Sequence, residues 1–122
     1  MTTTAIPVLR AFDYAKTLEF YIDWLGGTLQ WKHAPEAAPF YLEIMLRDVR
    51  IHLSEHHGDC TPGGKVLITG FQGLEAYHRE LIDKGYRYMK PGLEKTPWDP
   101  DALSVTVIDP FMNRIQFTGP RG

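Results

Sequence analysis

Two six-residue segments, Val49-Arg50-Ile51-His52-Leu53-Ser54 and Asn113-Arg114-Ile115-Gln116-Phe117-Thr118, carry one pattern in register. Arginine, isoleucine, an apolar residue and a hydroxyl recur at matching places. Self-similarity at long spacing marks a duplicated unit, and two units of roughly 60 residues would each supply half of a core. The elements that precede each segment repeat as well. Ile6–Arg10 is a short apolar run, and Asp13 stands as a helix N-cap ahead of Tyr14, Leu18, Tyr21 and Leu25 at helical spacing. Gly26-Gly27 stops that helix. Three β-rich runs follow, Thr28–His33, Phe40–Leu46 and Val49–Ser54, divided by a loop at Pro35 and Pro39 and by a tight turn at Arg47-Asp48.

The order then restarts. Val66–Thr69 reads as a strand, Gly73–Lys84 as a helix closed by Gly85, Tyr86–Lys90 as a strand and 91–101 as a loop. Leu103–Ile108 and Asn113–Thr118 form a hairpin turned at Asp109-Pro110. The fold class is therefore α+β, one domain made of two βαβββ halves, 5–56 and 65–119, joined by a Gly- and Pro-containing connector at 57–64.

At 122 residues the chain is long enough to bury a core without a structural metal or disulfide. Its formal charge of −2 supplies no basic field for nucleic acid. Cys60 is the only cysteine, so no internal disulfide can form. No apolar run reaches membrane-spanning length, and the N-terminus has no basic stretch followed by an apolar one, so the expected location is the cytoplasm with no membrane partner.

Asp13–Gly26, a polar start followed by a helix carrying Phe20-Tyr21 and ending in Leu25-Gly26, resembles the first-helix signature of the vicinal oxygen chelate superfamily of glyoxalases, bleomycin-resistance proteins and extradiol dioxygenases. The closing Asp109-Pro110-Phe111-Met112-Asn113-Arg114-Ile115 is similar to that superfamily's final hairpin, with Met112 where glycine is usual. Ala5–Leu9, Val49–Ser54 and Phe117-Thr118 bring the likeness nearest to bleomycin-resistance proteins. The resemblance implies paired βαβββ modules forming a curved mixed sheet around a cleft, often with two chains paired as a homodimer. It also implies a metal in the enzymes, held at positions that fall here on Ile6, His52, Val66 and Gln116. Ile and Val cannot ligate, and one imidazole with one amide falls short of the three donors that a divalent site needs. The loop residues Glu55, His56, His57, Asp59 and Cys60 include every common ligand type, but adjacent histidines on an extended chain point apart. We therefore expect neither metal nor cofactor.

What remains is a pocket for an organic molecule. Alternation separates Arg50, His52 and Ser54 from Val49, Ile51 and Leu53, and Arg114, Gln116 and Thr118 from Ile115 and Phe117. If the polar faces line the cleft, Arg50, His52, Arg114 and Gln116 anchor the ligand, with Ile6, Val8, Val66 and Ile68 as apolar wall. Glu43 joins them from the middle strand, as an anchor or a lone general base. Trp31, Phe40, Trp98 and Phe111 supply rings for stacking, Phe40 and Trp98 at positions similar to the stacking pair of bleomycin-resistance proteins. The expected function is metal-independent sequestration of a small aromatic antibiotic of the bleomycin type. The competing one is a superfamily enzyme working by an atypical metal or acid–base site at His52 and Glu43. Phe20 and Trp24 lie off the main helix stripe, which points to a homodimer interface there.

Overall fold

The computed structural model describes residues 2–34 and 39–122; Pro35, of the expected Pro35/Pro39 loop, lies outside them. The chain resolves into two compact units, Met1–Gly64 with Asp109–Asn113 and Lys65–Ile108 with Arg114–Gly122. Each unit is built on one four-stranded mixed sheet.

In the first unit the strands are β1 (Val8–Arg10), β2 (Thr28–His33), β3 (Tyr41–Leu46) and β4 (Val49–Ser54), ordered β1-β4-β3-β2. β1 runs parallel to β4, and the remaining pairs are antiparallel. Strict alternation on β3 and β4 sends Leu42, Ile44, Leu46, Ile51 and Leu53 into the core. Tyr41, Glu43, Arg50 and His52 take the other face.

Asp13 caps helix α1 (Tyr14–Leu18): its Oδ1 accepts the Lys16 backbone N–H at 2.9 Å. Glu19–Trp24 then continues as a π-helical segment, with the Leu25 N–H donating to the Phe20 carbonyl five residues back. This wider turn corrects the expected dimer contact. Alpha-helical spacing places Phe20 and Trp24 off the buried stripe, whereas the π turn brings Phe20, Tyr21, Trp24 and Leu25 inward together. Phe20 is 0% and Trp24 3% exposed within a single chain, so neither has surface to offer a partner. Gly26, at φ 81°, ends the segment in the left-handed conformation that a residue without Cβ adopts freely.

The second unit repeats the plan with β5 (Lys65–Ile68), α2 (Leu74–Lys84), β6 (Glu94–Thr96), β7 (Asp99–Ile108) and β8 (Arg114–Pro120), ordered β5-β8-β7-β6. β5 is parallel to β8 as β1 is to β4, which makes β4 and β8, the two echoing segments, structural equivalents. Two expectations fail here. Tyr86–Lys90 is not a strand, and the second strand of the unit is Glu94–Thr96, inside the stretch read as a loop. Pairing with β7 makes that strand, since neither its burial nor its composition alternates cleanly.

The closing motif is explained by hydrogen bonds within the first unit. Asp109 Oδ1 accepts the Phe111 and Asn113 backbone N–H groups at 2.9 and 2.8 Å, and Oδ2 accepts from Asn113 Nδ2 at 2.8 Å and the Tyr21 hydroxyl at 2.6 Å. Asn113 in turn donates to the Arg10 carbonyl at 2.7 Å and accepts from the Gly64 N–H at 2.9 Å. Met112 sits at φ 72°. A left-handed L-residue costs about 1–2 kcal/mol, and glycine costs about 1 kcal/mol more unfolded-state entropy, so Met112→Gly is expected to stabilise the protein by about 0.5 kcal/mol. Urea denaturation measures this as a higher midpoint at unchanged slope.

Candidate functional site

Strand register sets out the polar face of the first unit as rows. One row runs Val8, His52, Glu43, Trp31 across β1, β4, β3 and β2; the next runs Arg10, Ser54, Tyr41, His33. A bulge between Leu29 and Trp31 shifts the register on β2 and brings Trp31 opposite Glu43. His52 is thus placed beside Val8, not Ile6, which precedes the strand.

His52 is held at both ring nitrogens. The Tyr41 hydroxyl lies 2.7 Å from Nδ1 and Glu43 Oε1 lies 3.1 Å from Nε2. Burial, followed by the charges of Asp59, Cys60 and Glu43, pushes the Tyr41 phenol above its ordinary pKa, so it keeps its proton at neutral pH. A carboxylate only accepts, so Nε2 carries the proton toward Glu43, and the other nitrogen of the neutral ring, Nδ1, accepts from the Tyr41 hydroxyl. The imidazole is fixed in one tautomer by its neighbours.

The aromatic walls are Trp31 and Tyr41, whose rings are nearly parallel (8°) with centroids 5.9 Å apart, and His52 stands edge-on to both at 5.3 and 5.2 Å. Trp31 remains 45% exposed. A ring so placed offers a face to a flat molecule, and the His52–Glu43 pair offers hydrogen bonds beside it. Of the expected site residues, the structure brings together Trp31, Glu43 and His52. Arg50 stands exposed on the same face, opposite Met45. Tyr41 was legible as the alternation partner of Glu43, two residues earlier on one face, but lacked any chemical signal of its own.

Two expected ring contacts are corrected. Phe40 is 3% exposed, edge-on to Tyr14 at 5.4 Å, and Phe111 is 5% exposed, edge-on to Phe12 at 5.9 Å. Both are packing residues. Phe40 directly precedes β3, and its backbone N–H donates to Glu55 Oε1 at 3.2 Å.

In the second unit Gln116 lies in the row Leu67, Gln116, Thr106. Its Nε2 donates to the Ser104 hydroxyl at 3.3 Å, which pairs with Thr96 Oγ1 at 2.8 Å. Leu67 is therefore the residue beside Gln116, while Val66 and Ile68 pair with Ile115 and Phe117 on the core face. Arg114 is exposed at the start of β8. Trp98 tops the turn between β6 and β7, 62% exposed, at a cavity of about 320 Å3 that Thr69, Asp99, Asp101 and Thr118 also line.

A superfamily-type metal does not fit these residues. In the first unit the donors are His52 and Glu43, already bonded to one another and flanked by Val8 and Trp31; in the second the equivalent of His52 is a carboxamide next to Leu67. Among the described residues no group of three or more His, Cys, Asp or Glu side chains converges. The 55–60 loop is a hydrogen-bonded turn: Ser54 donates to Asp59 at 2.6 Å, and the Asp59 N–H donates to the His56 carbonyl at 3.1 Å. Burial and then the Asp59 charge raise the Cys60 thiol, against a smaller opposing effect of Arg10, so the thiolate is disfavoured.

Twin mixed sheets of one topology, each with a helix and a polar strand face, define the class of paired βαβββ proteins. The family model described as "Glyoxalase superfamily protein" matches residues 1–121, and the chain belongs to that superfamily. It is 31% identical to a bleomycin resistance protein of Geobacillus stearothermophilus, over 93% of each chain. Among solved structures it is similar to a bleomycin-binding protein complexed with bleomycin (TM-score 0.72, 17% identity, 98% of this chain and 100% of that one). It is also similar to the bleomycin-binding protein of Streptomyces verticillus complexed with copper(II)-bleomycin (TM-score 0.69, 23% identity, 99% and 98%). Among the described residues no helix is long and apolar enough to cross a membrane.

Proposed function

We propose that this chain is a small-molecule binding protein that captures a flat aromatic compound, of the kind its bleomycin-resistance relatives are named for, and works by binding alone. The observation that carries this reading is the half-exposed Trp31 ring lying parallel to Tyr41 beside the hydrogen-bonded His52–Glu43 pair. Stacking supplies affinity and the polar pair supplies orientation, with no metal or cofactor required. In this reading the protein acts in the cytoplasm. The homodimer suggested by the resemblance remains part of the proposal, with its interface away from Phe20 and Trp24.

A second reading is favoured by one observation. The Tyr41–His52–Glu43 chain is the hydrogen-bond pattern of an oriented base, and it would suit proton transfer in a superfamily enzyme without metal.

The test is calorimetric titration of untagged protein with metal-free bleomycin, copper(II)-bleomycin and simple bicyclic aromatics, with a matching thermal-shift series. Ligand at a hundred times its dissociation constant should stabilise the fold by about 2.7 kcal/mol. We expect binding of at least one flat compound with no chemical change in it. Turnover of a bound compound, abolished by His52→Ala, would instead establish the second reading. An absence of heat and of thermal shift across the series would remove the first.

A further inference from the structure

We infer that Arg10 is an anion-binding residue of this site, and that the aromatic guest carries an oxyanion: a carboxylate, phosphate or sulfonate. For the guest's ring the inference rests on the aromatic-capture reading above; for its charge it rests on Arg10 alone.

Arg10 ends β1, in register with Ser54 and Tyr41, and so occupies the same sheet face as His52, one row away on the neighbouring strand, and Trp31, in the His52 row three strands across. Its backbone is pinned by the bond from Asn113 Nδ2 to its carbonyl. The side chain is 9% exposed, and its Nε is buried with no hydrogen-bond partner among the described residues. No ion pair is made to the guanidinium by any described residue. The Phe12 ring, 4.8 Å from the guanidinium carbon, interacts through its π face and gives the buried Nε–H no acceptor. Asp59 is the natural internal counter-ion, since both it and Arg10 act on Cys60, but its carboxylate accepts the Ser54 hydroxyl instead.

A buried cation without a partner is costly, and a protein retains one where a ligand supplies the missing charge. The planar guanidinium fork suits the two oxygens of a carboxylate or phosphate, which take parallel N–H bonds. Strands are about 4.8 Å apart and rows on one face about 7 Å. That puts the Arg10 backbone about 10 Å from Tyr41, two strands across in its own row, and about 16 Å from Trp31, three strands and one row away. A guest that spans this is a rod-shaped aromatic acid with its oxyanion at the end far from the stacking ring: the ring rests on Trp31 and Tyr41 while the acid group reaches Arg10.

The experiment is calorimetric titration of the full chain with biphenyl-4-carboxylate, biphenyl-4-yl phosphate and neutral biphenyl-4-carboxamide, in the native protein and in Arg10→Met, Arg10→Lys and Trp31→Ala. The native protein should favour at least one of the two anions over the amide by tenfold or more, and which one identifies the oxyanion. Arg10→Met should erase that preference while keeping its affinity for the amide, and Arg10→Lys should keep part of it. Without ligand, Arg10→Met should melt no lower than the native protein, because an unpaired buried charge has been removed. Equal affinity for anions and amide, a preference that survives Arg10→Met, or a lower melting point for Arg10→Met overturns the inference. The two readings separate cleanly. Amide binding without anion preference leaves aromatic capture standing and removes the anion site. Anion preference that ignores Trp31→Ala does the reverse, and no binding by any probe removes both.

Discussion

Asp109→Ala is expected to destabilise the protein by about 4 kcal/mol, because it leaves buried donors without the charged acceptor they share. Asp109 is 3% exposed and takes four hydrogen bonds, from Tyr21, the Phe111 and Asn113 backbones and the Asn113 side chain. The Phe111 N–H, the Asn113 N–H and the Tyr21 hydroxyl would all lie in a dry interior with no alternative acceptor in place. The Asn113 side chain would lose one of the two acceptors that hold it, and with it the grip on the Arg10 carbonyl. Urea denaturation should show a large fall in midpoint, and loss of less than about 1 kcal/mol would mean that water replaces the carboxylate.

The same group gives a pH signature. Burial raises the Asp109 pKa above its ordinary value of 3.8, against the hydrogen bonds from Tyr21, Asn113 and Phe111 that lower it. A carboxyl whose folded pKa is raised contributes stability that is fully present below the unfolded value and is lost as pH rises through the folded one. The stability of the native protein minus that of Asp109→Asn, which cannot titrate, should therefore increase as pH falls from 7 through the carboxylate range. Tyr21 acts with the same sign at the other end. Burial, then the charge of Asp109 and its hydrogen bond, raise the phenol well above 10.0, so its contribution persists through neutral pH and is lost in alkali.

The parts of this fold that could be read from sequence are those enforced by local chemistry. Asp13, Gly26 and Gly85 mark helix ends because caps and left-handed stops have strong residue preferences, and the alternation on β3 and β4 declares their faces. What long-range pairing decides was hidden. Val66-Leu67-Ile68 is apolar throughout, so nothing local shows which residues face the core; pairing with Ile115, Gln116 and Phe117 settles it in favour of Val66 and Ile68. Tyr86 and Tyr88 have strand propensity but meet edge-on at 5.4 Å in a turn. The π turn at Glu19–Trp24 changes which helix residues share a face, and no single residue announces it. In the site, Trp31, Glu43 and His52 were visible as ring, acid and imidazole on alternating strands. Arg10 was not, because an arginine closing an apolar strand ordinarily reaches water, and only the packing around it removes that water.

Phe40 and Trp31, both expected as stacking rings, should separate when each is cut to alanine. Phe40 is buried against Tyr14, so Phe40→Ala leaves a cavity in the core and should cost about 3–5 kcal/mol of folding stability. Ligand affinity of the molecules that remain folded should barely change, since the ring presents no face to a guest. Trp31 is 45% exposed, and its ring lies against Tyr41 and the edge of His52 rather than within the core. Trp31→Ala should therefore change stability by less than about 1 kcal/mol. Its effect falls on binding. An aromatic anchor central to a binding surface is worth about 2 kcal/mol or more, so affinity for the flat ligand should drop about thirtyfold. Paired calorimetry and denaturation on the two variants give four numbers, and the crossed pattern is the expected one. A fall in affinity for Phe40→Ala as large as for Trp31→Ala would place the guest against α1 instead, and would move the site off the β2–β3 face.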